Sequence, residues 1–400
     1  MLLVHRFFAP DVTAYSQMLA MIATQLKLDR RDVSVFTTQP SYNGIYDGPA
    51  LPRKRIEDGV AVYRANIPGG GSSLGRLLGG LLFGVRLVGH ALLHRKRYDV
   101  IMVSTVPPVF MGLCGVLAAR AANANLVYHC MDLYPEIAIA SGHAPAGPIT
   151  RIARALDNLT ISNSSATIVL SKDMLHTIAK RGAPTDRVLI QNNFTIDSAS
   201  SSTAIELPRE LGPSRRFRLI FAGNIGRFQG LETLLEAIAL DGDTETEVLF
   251  LGGGAAKEGL RQQSEDLGIS GRVTFVEHQP LAVAMKAMTE ADLAVVSLAP
   301  GLINSAYPSK TVMYLEMGCR ILAVVEPESE LASLVVDNDL GVVAGPGEVE
   351  EIAKAIATER GRTTNQADKD RAQAVANDEF ASISVLPRWT EIIAGLEPVR

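Results

Sequence analysis

Residues 218–230 read RLIFAGNIGRFQG, an apolar run followed by a turn that contains three glycines. The run Arg218–Ala222 has the length and composition of a buried strand, and the residues after Gly230 recur with helical spacing. Glycines at a strand-to-helix turn let the backbone approach a phosphate, and the helix N-terminus supplies N–H groups and positive potential. This stretch therefore predicts an α/β domain with an anion-binding turn.

Short apolar runs alternate with helical patterns in both halves of the 400-residue chain. In the first half we predict strands at 2–7, 33–37, 60–65, 100–104, 126–130 and 167–170, with helices at 16–28 and 109–121. In the second half we predict strands at 218–222, 248–251, 273–276, 293–297 and 321–325, with helices at 231–240 and 281–289. Strands alternating with helices indicate parallel sheets covered on both faces, so two Rossmann-like domains are expected.

A polar stretch of small residues separates the two blocks. It reads DSASSST at 197–203 and continues to Pro208 and Pro213, a composition typical of linkers. We therefore predict an N-terminal domain at 1–196, a linker at 197–215 and a C-terminal domain at 216–375. Residues 376–400, which include Trp389, are expected to form a helix that packs back on the first domain.

The composition excludes several classes of protein. With 47% hydrophobic and 20% charged residues, the chain is not expected to be disordered. Cys114, Cys130 and Cys319 lack paired spacing, so neither a disulfide framework nor a zinc site is expected. The N-terminal residues lack the apolar core of a signal peptide, and no apolar stretch is both long and uncharged enough to span a bilayer. These features predict a cytoplasmic protein.

The two halves of the chain carry opposite charge. Residues 1–195 contain 20 lysines and arginines against 12 acids, whereas residues 196–400 contain 18 against 31. Between Gly59 and Met131, Asp99 is the only acidic residue beside seven basic ones. The basic half is therefore expected to meet something anionic.

Residues 74–97 are the candidate for contact with an anionic membrane surface. Apolar residues recur there at helical spacing, namely Leu74, Leu77, Leu78, Leu81, Leu82, Val85, Val88 and Leu92. The same spacing predicts a neighbouring basic stripe of Arg76, Arg86, His90, His94 and Arg97. An ordinary buried helix with a solvated edge is the alternative, but the scarcity of acids favours a peripheral protein on the cytosolic face of the inner membrane. No nucleic-acid partner is expected.

Ligands of doubly wound sheets bind outside the carboxyl ends of the strands. The residues at those ends in the second half are Asn224, Gly226, Arg227, Gln229, Gly253, Ser309 and Lys310, and in the first half His129, Asp132 and Glu136. Arg227 and Lys310 would hold a diphosphate and stabilise the negative charge that grows as it leaves. The alternatives are a surface arginine, a helix-capping lysine, capping acids, a core histidine and glycines that merely end a strand.

These segments belong to a longer set that resembles the bacterial family-four glycosyltransferases, particularly the branch that builds cell-surface polysaccharides. The matching segments, in family order, are FAPD at 8–11, TQPSY at 38–42, DGVAVYR at 58–64, VPP at 106–108, DLYPE at 132–136, GNIG at 223–226, QGLE at 229–232, and PSK at 308–310 with Gly318. The resemblance extends from Met1 to about Glu351.

The resemblance implies a GT-B fold, in which two Rossmann-like domains face each other across a cleft. It implies transfer of a sugar from a nucleotide-sugar donor, held mostly by the second domain, to an acceptor held by the first, with retention of configuration and without a required metal. By position, Asn224 and Arg227 would contact the donor phosphates, as would Ser309 and Lys310. His129 and Asp132 would contact the donor sugar or the acceptor, and we assign Asp132, Arg227 and Lys310 to catalysis.

The chain departs from the family pattern at three places. Thr13 and Ala14 replace paired glycines after the first strand, and Gln229 replaces a lysine. Met313 occupies the position of the donor-ribose glutamate, and Glu316 follows one turn later. Thr13, Gln229 and Glu316 therefore join Glu136, Gly226 and Gly253 as expected substrate contacts. No metal and no cofactor are expected, because no His, Asp or Glu cluster has ligand spacing and the pairs Asp241/Asp243 and Asp337/Asp339 look like solvated turn acids.

The reading that follows is a retaining hexosyl- or N-acetylhexosaminyltransferase that acts on a lipid-linked glycan acceptor in surface-polysaccharide assembly. The departures keep open a non-catalytic nucleotide-sugar-binding partner of another transferase. A nucleotide-sugar epimerase is less favoured, because His278 is the only histidine of the second half. An NAD-dependent dehydrogenase is less favoured still, since no proper glycine fingerprint is present.

Overall fold

The structure is a computed structural model that describes residues 1–11, 13–41, 46, 48–67, 73–196, 206–362 and 365–396. The side chains of residues 73, 74, 76 and 77 are also outside the described part. Residues 197–205 of the predicted linker, Tyr42, and the side chains of Leu74, Arg76 and Leu77 therefore fall outside the described residues.

The chain forms two compact units. The first comprises Met1–Glu136, Ala144–Ile196 and Ser382–Arg400, and the second comprises Ile137–His143 and Asp197–Ala381. Two features differ from the domain bounds drawn from the sequence. Residues 137–143 lie with the second unit, and the return to the first unit begins at Ser382 instead of residue 376.

The first unit is built on an eight-stranded sheet of order β3-β4-β2-β1-β5-β6-β7-β8. Its strands are β1 (Leu2–Val4), β2 (Ser34–Thr38), β3 (Lys54–Glu57), β4 (Val60–Ala65), β5 (Val100–Ser104), β6 (Asn125–His129), β7 (Ala166–Val169) and β8 (Val188–Ile190). All six predicted strands are confirmed within a few residues of their bounds. The sheet is parallel, as expected, except at one edge, where β3 pairs antiparallel with β4.

Helices cover both faces of this sheet. They are α1 (Ala14–Leu28), α2 (Ser73–Leu93), α3 (Phe110–Ala122), α5 (Pro148–Ser162), α6 (Lys172–Lys180) and, from the C-terminal segment, α14 (Ser382–Ala394). The short helix α4 (Glu136–Ala140) belongs, after its first residue, to the second unit. Helices α1 and α14 share one core with Leu3, Val35 and Val127, and Trp389 of α14 is buried there. The opposite face contacts α2 and α3, through a stacked pair of Phe36 and Phe83 and close packing of α3 on β5.

The second unit contains a six-stranded, wholly parallel sheet of order β11-β10-β9-β12-β13-β14. Its strands are β9 (Phe217–Ala222), β10 (Thr246–Leu251), β11 (Val273–Val276), β12 (Leu293–Ser297), β13 (Ile321–Val324) and β14 (Gly341–Ala344). Its helices are α7 (Leu231–Asp241), α8 (Lys257–Asp266), α9 (Leu281–Thr289), α10 (Lys310–Glu316), α11 (Glu330–Asp337), α12 (Val349–Arg360) and α13 (Gln366–Val375). Both units are Rossmann-like, as predicted.

The predicted basic stripe of α2 is wrong in part. His90 packs against Phe36 and Tyr63, its Nε2 lies 2.8 Å from the Tyr98 hydroxyl, and burial lowers its pKa to about 4. Arg97 donates to the Tyr63 hydroxyl at 2.9 Å and lies over that ring. His90 is therefore neutral near pH 7, and the guanidinium of Arg97 is held at the edge of the sheet.

Candidate functional site

Two glycine-rich loops of the second unit run side by side beyond the ends of β9 and β10. The N–H groups of Gly223 and Ile225 donate to the carbonyls of Leu251 and Gly253, each at 2.9 Å. A Cβ on Gly252 would lie 2.1 Å from the Gly223 carbonyl oxygen, and one on Gly254 would lie 2.1 Å from that of Ile225. The first and third glycines of the triplet thus serve loop packing. Gly253 has room beside it, since the nearest atom to an added Cβ is the Glu277 carboxylate at 3.8 Å.

The turn after β9 brings Asn224, Gly226 and Gln229 together. The Gly226 N–H donates to the Gln229 side-chain carbonyl at 2.7 Å. A Cβ on Gly226 would lie 2.8 Å from the Asn224 amide nitrogen and 3.0 Å from that Gln229 oxygen. Arg227 is exposed, and its guanidinium contacts no acidic side chain among the described residues. The N–H groups of Gly223, Ile225 and Gly226 thus already have acceptors within the second unit, and Arg227 adds an exposed positive charge to the turn.

Lys310 lies at the same end of β9 but points into the protein. Its Nζ has no hydrogen-bond partner among the described residues and lies 3.3 Å from the centroid of the Phe221 ring. Burial lowers its pKa to about 7. Helix α10 is fixed there because the Tyr314 hydroxyl accepts the Ala222 N–H at 2.8 Å. An enclosed ammonium without an anionic partner is costly, so an incoming anion would stabilise it.

The other two candidates on α10 lie at its opposite ends. Ser309 is the exposed N-cap residue, and its side chain does not bond to the helix backbone. Glu316 is the last residue of α10, about 9 Å along the axis from Lys310, and its backbone carbonyl accepts from Gln373. The structure therefore places Ser309 beside Lys310 and Glu316 away from it.

His129 ends β6 in the first unit and is buried. Its Nδ1 lies 2.9 Å from the Tyr15 hydroxyl, and its ring meets Trp389 edge-on at 4.8 Å between centroids. Its Nε2 is buried without a hydrogen-bond partner in the described part of the chain. Burial lowers the pKa of His129 to about 3, so the ring is neutral near pH 7.

Sequence reasoning missed three side chains that lie near His129, namely His5, Tyr15 and Ser104. His5 follows β1, and its Nδ1 lies 2.6 Å from the hydroxyl of Ser104, the last residue of β5. The His5 ring packs against Tyr15 at 4.5 Å, and burial lowers its pKa to about 3. His5 and Ser104 sit at carboxyl ends of neighbouring strands, so the rule that selected His129 applies to them as well.

Asp132 and Thr13 occupy very different surroundings. Asp132 is half-buried, and no described side chain forms an ion pair with its carboxylate. Burial raises its pKa to about 6. Thr13 caps α1, because its hydroxyl accepts the Ser16 N–H at 3.0 Å while the Ser16 hydroxyl accepts the Thr13 N–H at 2.8 Å. The structure thus shows Thr13 in a helix-capping role.

Glu136 belongs to a network of ion pairs within the first unit. Its carboxylate accepts from Arg154 at 2.8 Å and from both Nε and Nη2 of Arg181. Arg181 also bonds to Asp157 at 2.6 Å, and the Tyr128 hydroxyl donates to Asp157 at 2.8 Å. The side chain predicted to bind substrate is therefore occupied by two arginines.

The described residues also bear on metals and membrane spans. Over that part of the chain, His, Cys, Asp and Glu side chains form no group of three suited to a metal ion. Asp241 and Asp243, expected to be solvated, instead form ion pairs with Arg360 at 2.5 and 2.9 Å. None of the described helices is long and apolar enough to cross a membrane.

Comparison with protein families gives one match in each unit. Residues 13–193 match the family described as glycosyl transferase 4-like domain, and residues 216–358 match glycosyl transferases group 1. Two similar proteins are the probable glycosyltransferase WbjE of Pseudomonas aeruginosa and the putative colanic acid biosynthesis glycosyl transferase WcaI of Escherichia coli K12. WbjE is 26% identical over 71% of this chain and 70% of its own length. WcaI is 22% identical over 87% and 89%.

Solved structures share the fold over almost the whole chain. Anabaena HepE in complex with UDP has a TM-score of 0.69 at 18% identity and covers 98% of this chain and 99% of its own. WaaG, described as a glycosyltransferase involved in lipopolysaccharide biosynthesis, has a TM-score of 0.68 at 14% identity, with 99% and 100% coverage. The two Rossmann-like units and these similarities identify the fold as GT-B.

Proposed function

We propose that this chain, which belongs to the glycosyltransferases, transfers a sugar from a nucleotide-sugar donor with retention of configuration. Its first domain matches the glycosyl transferase 4-like family, and its second domain matches glycosyl transferases group 1. The observation that carries this proposal is the buried ammonium of Lys310, which lies over the ring of Phe221 near the end of β9 and has no hydrogen-bond partner among the described residues. The structures of HepE in complex with UDP and with UDP-glucose support a nucleoside diphosphate sugar as donor.

Bond breaking in the proposed reaction leaves a growing negative charge on the diphosphate, which the second unit holds. The bond between the sugar C1 and the diphosphate oxygen breaks, and its electron pair stays on the diphosphate. Arg227 and Lys310 stabilise that charge, and Asn224, Ser309 and the Gly226 N–H donate to phosphate oxygens. Binding in this way requires the Gln229 side chain to move off the Gly226 N–H.

Bond formation involves the first unit. The acceptor hydroxyl oxygen bonds to C1, and its proton leaves. Asp132 accepts this proton, because a half-buried carboxylate with a raised pKa is suited to accept one near neutral pH. His129 contacts the donor sugar or the acceptor through Nε2, the ring nitrogen that lacks a partner among the described residues. The transferred sugar is of the hexosyl or N-acetylhexosaminyl type.

The acceptor is proposed to be a lipid-linked glycan of surface-polysaccharide assembly. The name of WcaI associates that relative with colanic acid biosynthesis. The excess of basic residues in the first half supports association of the enzyme with the anionic cytosolic face of the inner membrane. The enzyme is proposed to need neither a metal nor a cofactor.

A second candidate function is a non-catalytic nucleotide-sugar-binding partner of another transferase. One observation favours it: Gln229 both replaces the family lysine and occupies the Gly226 N–H. A ligand-binding assay alone does not separate these two functions, because both bind donor. Acceptor-dependent release of the nucleoside diphosphate does separate them.

The donor can be identified by thermal denaturation in the presence of a panel of nucleoside diphosphates and nucleotide sugars. A specific ligand at about a hundredfold excess over its Kd should stabilise the protein by about 2.7 kcal/mol. Arg227→Ala should weaken this effect, whereas Lys286→Ala, which changes an exposed lysine of α9, should leave it unchanged. Absence of stabilisation by every nucleotide would contradict the proposal.

A further inference from the structure

Helix α5 exposes an apolar stripe. Ile149, Ile152, Leu156 and Leu159 point outward, with Ile149 82% exposed and Ile152 61% exposed. At about 100° per residue the four fall within about 80° of one another. A neighbouring side of α5 faces the protein and is buried at Thr150, Asp157, Thr160 and Ile161. The apolar stripe of α5 is therefore open, whereas the buried side of the helix is mostly polar.

Helices α2, α3 and α5 form one layer on the same face of the first sheet. Gly84 of α2 allows close approach to α3, since a Cβ there would lie 2.6 Å from the Cys114 sulfur. Gly112 of α3 does the same for α5, where an added Cβ would lie 2.7 Å from Thr160. Arg120 of α3 also donates to Asn163, at the end of α5, at 2.6 Å. The open stripe of α5 thus belongs to a three-helix face.

The rest of this three-helix face has the same character. Its other exposed large apolar residues are Leu78, Val85, Leu92 and Leu93 of α2 and Leu117 of α3. Asp157 is the only acidic residue in the three helices, and its side chain is buried against Arg181. Arg86 and Arg151 are exposed on α2 and α5. The face is therefore apolar and basic, without an exposed acid.

We propose that the three-helix face of α2, α3 and α5 docks on an anionic phospholipid bilayer, with the α5 stripe inserted among the headgroups. The proposal rests on the membrane association included in the proposed function and names its surface. Apolar side chains beside arginines suit the boundary between acyl chains and anionic headgroups. A second copy of the chain fits less well, because two like faces would bring basic residues against each other.

Flotation of the purified full-length chain tests this surface. The chain is mixed with phosphatidylcholine vesicles, or with vesicles that also contain phosphatidylglycerol, at low and at high salt. We expect flotation with the anionic vesicles at low salt and release as salt rises. Ile152→Glu should lower the bound fraction about tenfold, because it removes apolar insertion and adds repulsion. Ile152→Trp should retain binding, since tryptophan suits the interface.

Val336→Glu is the matched control, because Val336 of α11 is 62% exposed and lies in the other unit. It should bind vesicles as the wild type does. Equal loss in both glutamate variants, or no flotation of the wild type, would overturn the proposal. Sedimentation that shows self-association abolished by Ile152→Glu, without vesicle binding, would assign the face to a second copy. Donor stabilisation in thermal denaturation should be the same in Ile152→Glu and wild type, which separates this surface from the proposed catalytic function.

Discussion

The ammonium nitrogen of Lys310 lies 3.3 Å from the centroid of the Phe221 ring and makes no hydrogen bond to any described residue. The aromatic face attracts the cation and offsets part of the cost of removing it from water. The remaining cost appears as a pKa lowered to about 7 by burial. Such a group is poorly suited to stabilising the fold and well suited to receiving an anion.

Replacing Lys310 with methionine should therefore raise stability. The folded pKa of about 7 lies below the ordinary lysine pKa of 10.5, so the unfolded chain binds more protons between these pH values. Wild-type stability should increase as pH rises through that window, and the variant should lack this contribution. At pH 7 we expect the free energy of unfolding of Lys310→Met, measured by denaturant titration, to exceed that of the wild type by about 1–3 kcal/mol. Lys286→Met serves as the exposed control, and a loss of stability in Lys310→Met would show that the ammonium has a partner.

Asp132 should set the acidic limb of the pH profile. Its pKa is raised to about 6 by burial, and the proposed reaction uses its ionised form. Turnover should fall as pH drops through about 6, and Asp132→Asn should lower turnover by about a hundredfold and remove that limb. The measurement is kcat against pH at saturating donor. An unchanged acidic limb in Asp132→Asn would assign it to another group.

Changes in the Glu136 network should affect stability and not donor binding. Arg181→Met would leave the carboxylates of Glu136 and Asp157 without their shared cation, at a cost of about 3–5 kcal/mol. Glu136→Gln should lower the unfolding free energy by less, because Arg181 keeps Asp157. Donor KM should be unchanged in Glu136→Gln. A KM raised tenfold with normal stability would return Glu136 to the substrate site.

Chelation should leave the reaction intact. In the proposed reaction Arg227 and Lys310 stabilise the charge of the leaving diphosphate, so no divalent cation is needed for that role. Dialysis against EDTA followed by assay in EDTA should preserve turnover. Complete loss that is restored by magnesium or manganese would contradict this assignment.

Much of the fold could be predicted from local pattern. Strands such as β5 and β12 are continuous apolar runs because both of their faces are buried. Strand β3, with sequence KRIE, was missed because it is a mostly exposed edge strand without an apolar run. The charge state of His90 was missed because its aromatic neighbours come from β2, β4 and the segment just before β5.

The candidate site, like the fold, could be predicted from local pattern only in part. The strand-end rule selects His129, Asp132 and the turn after β9 as candidates, but it cannot identify side-chain partners distant in sequence. Tyr15 meets His129 across 114 positions of chain. Gly253 was expected to contact substrate, and its neighbours Gly252 and Gly254 serve packing against the loop at 223–225. The inward direction of Lys310 depends on Phe221, a contact that no local pattern encodes.

Acceptor-dependent release of nucleoside diphosphate tests the central claim most directly. The purified chain is incubated with the stabilising nucleotide sugar and lipid-linked glycan acceptors, and release is followed for wild type, Lys310→Ala, Arg227→Ala and the control Lys286→Ala. We predict release by wild type and the control, and turnover lowered about a hundredfold in each of the other two at saturating donor. Donor binding without release by wild type, or near-normal turnover in Lys310→Ala and Arg227→Ala, would contradict the account.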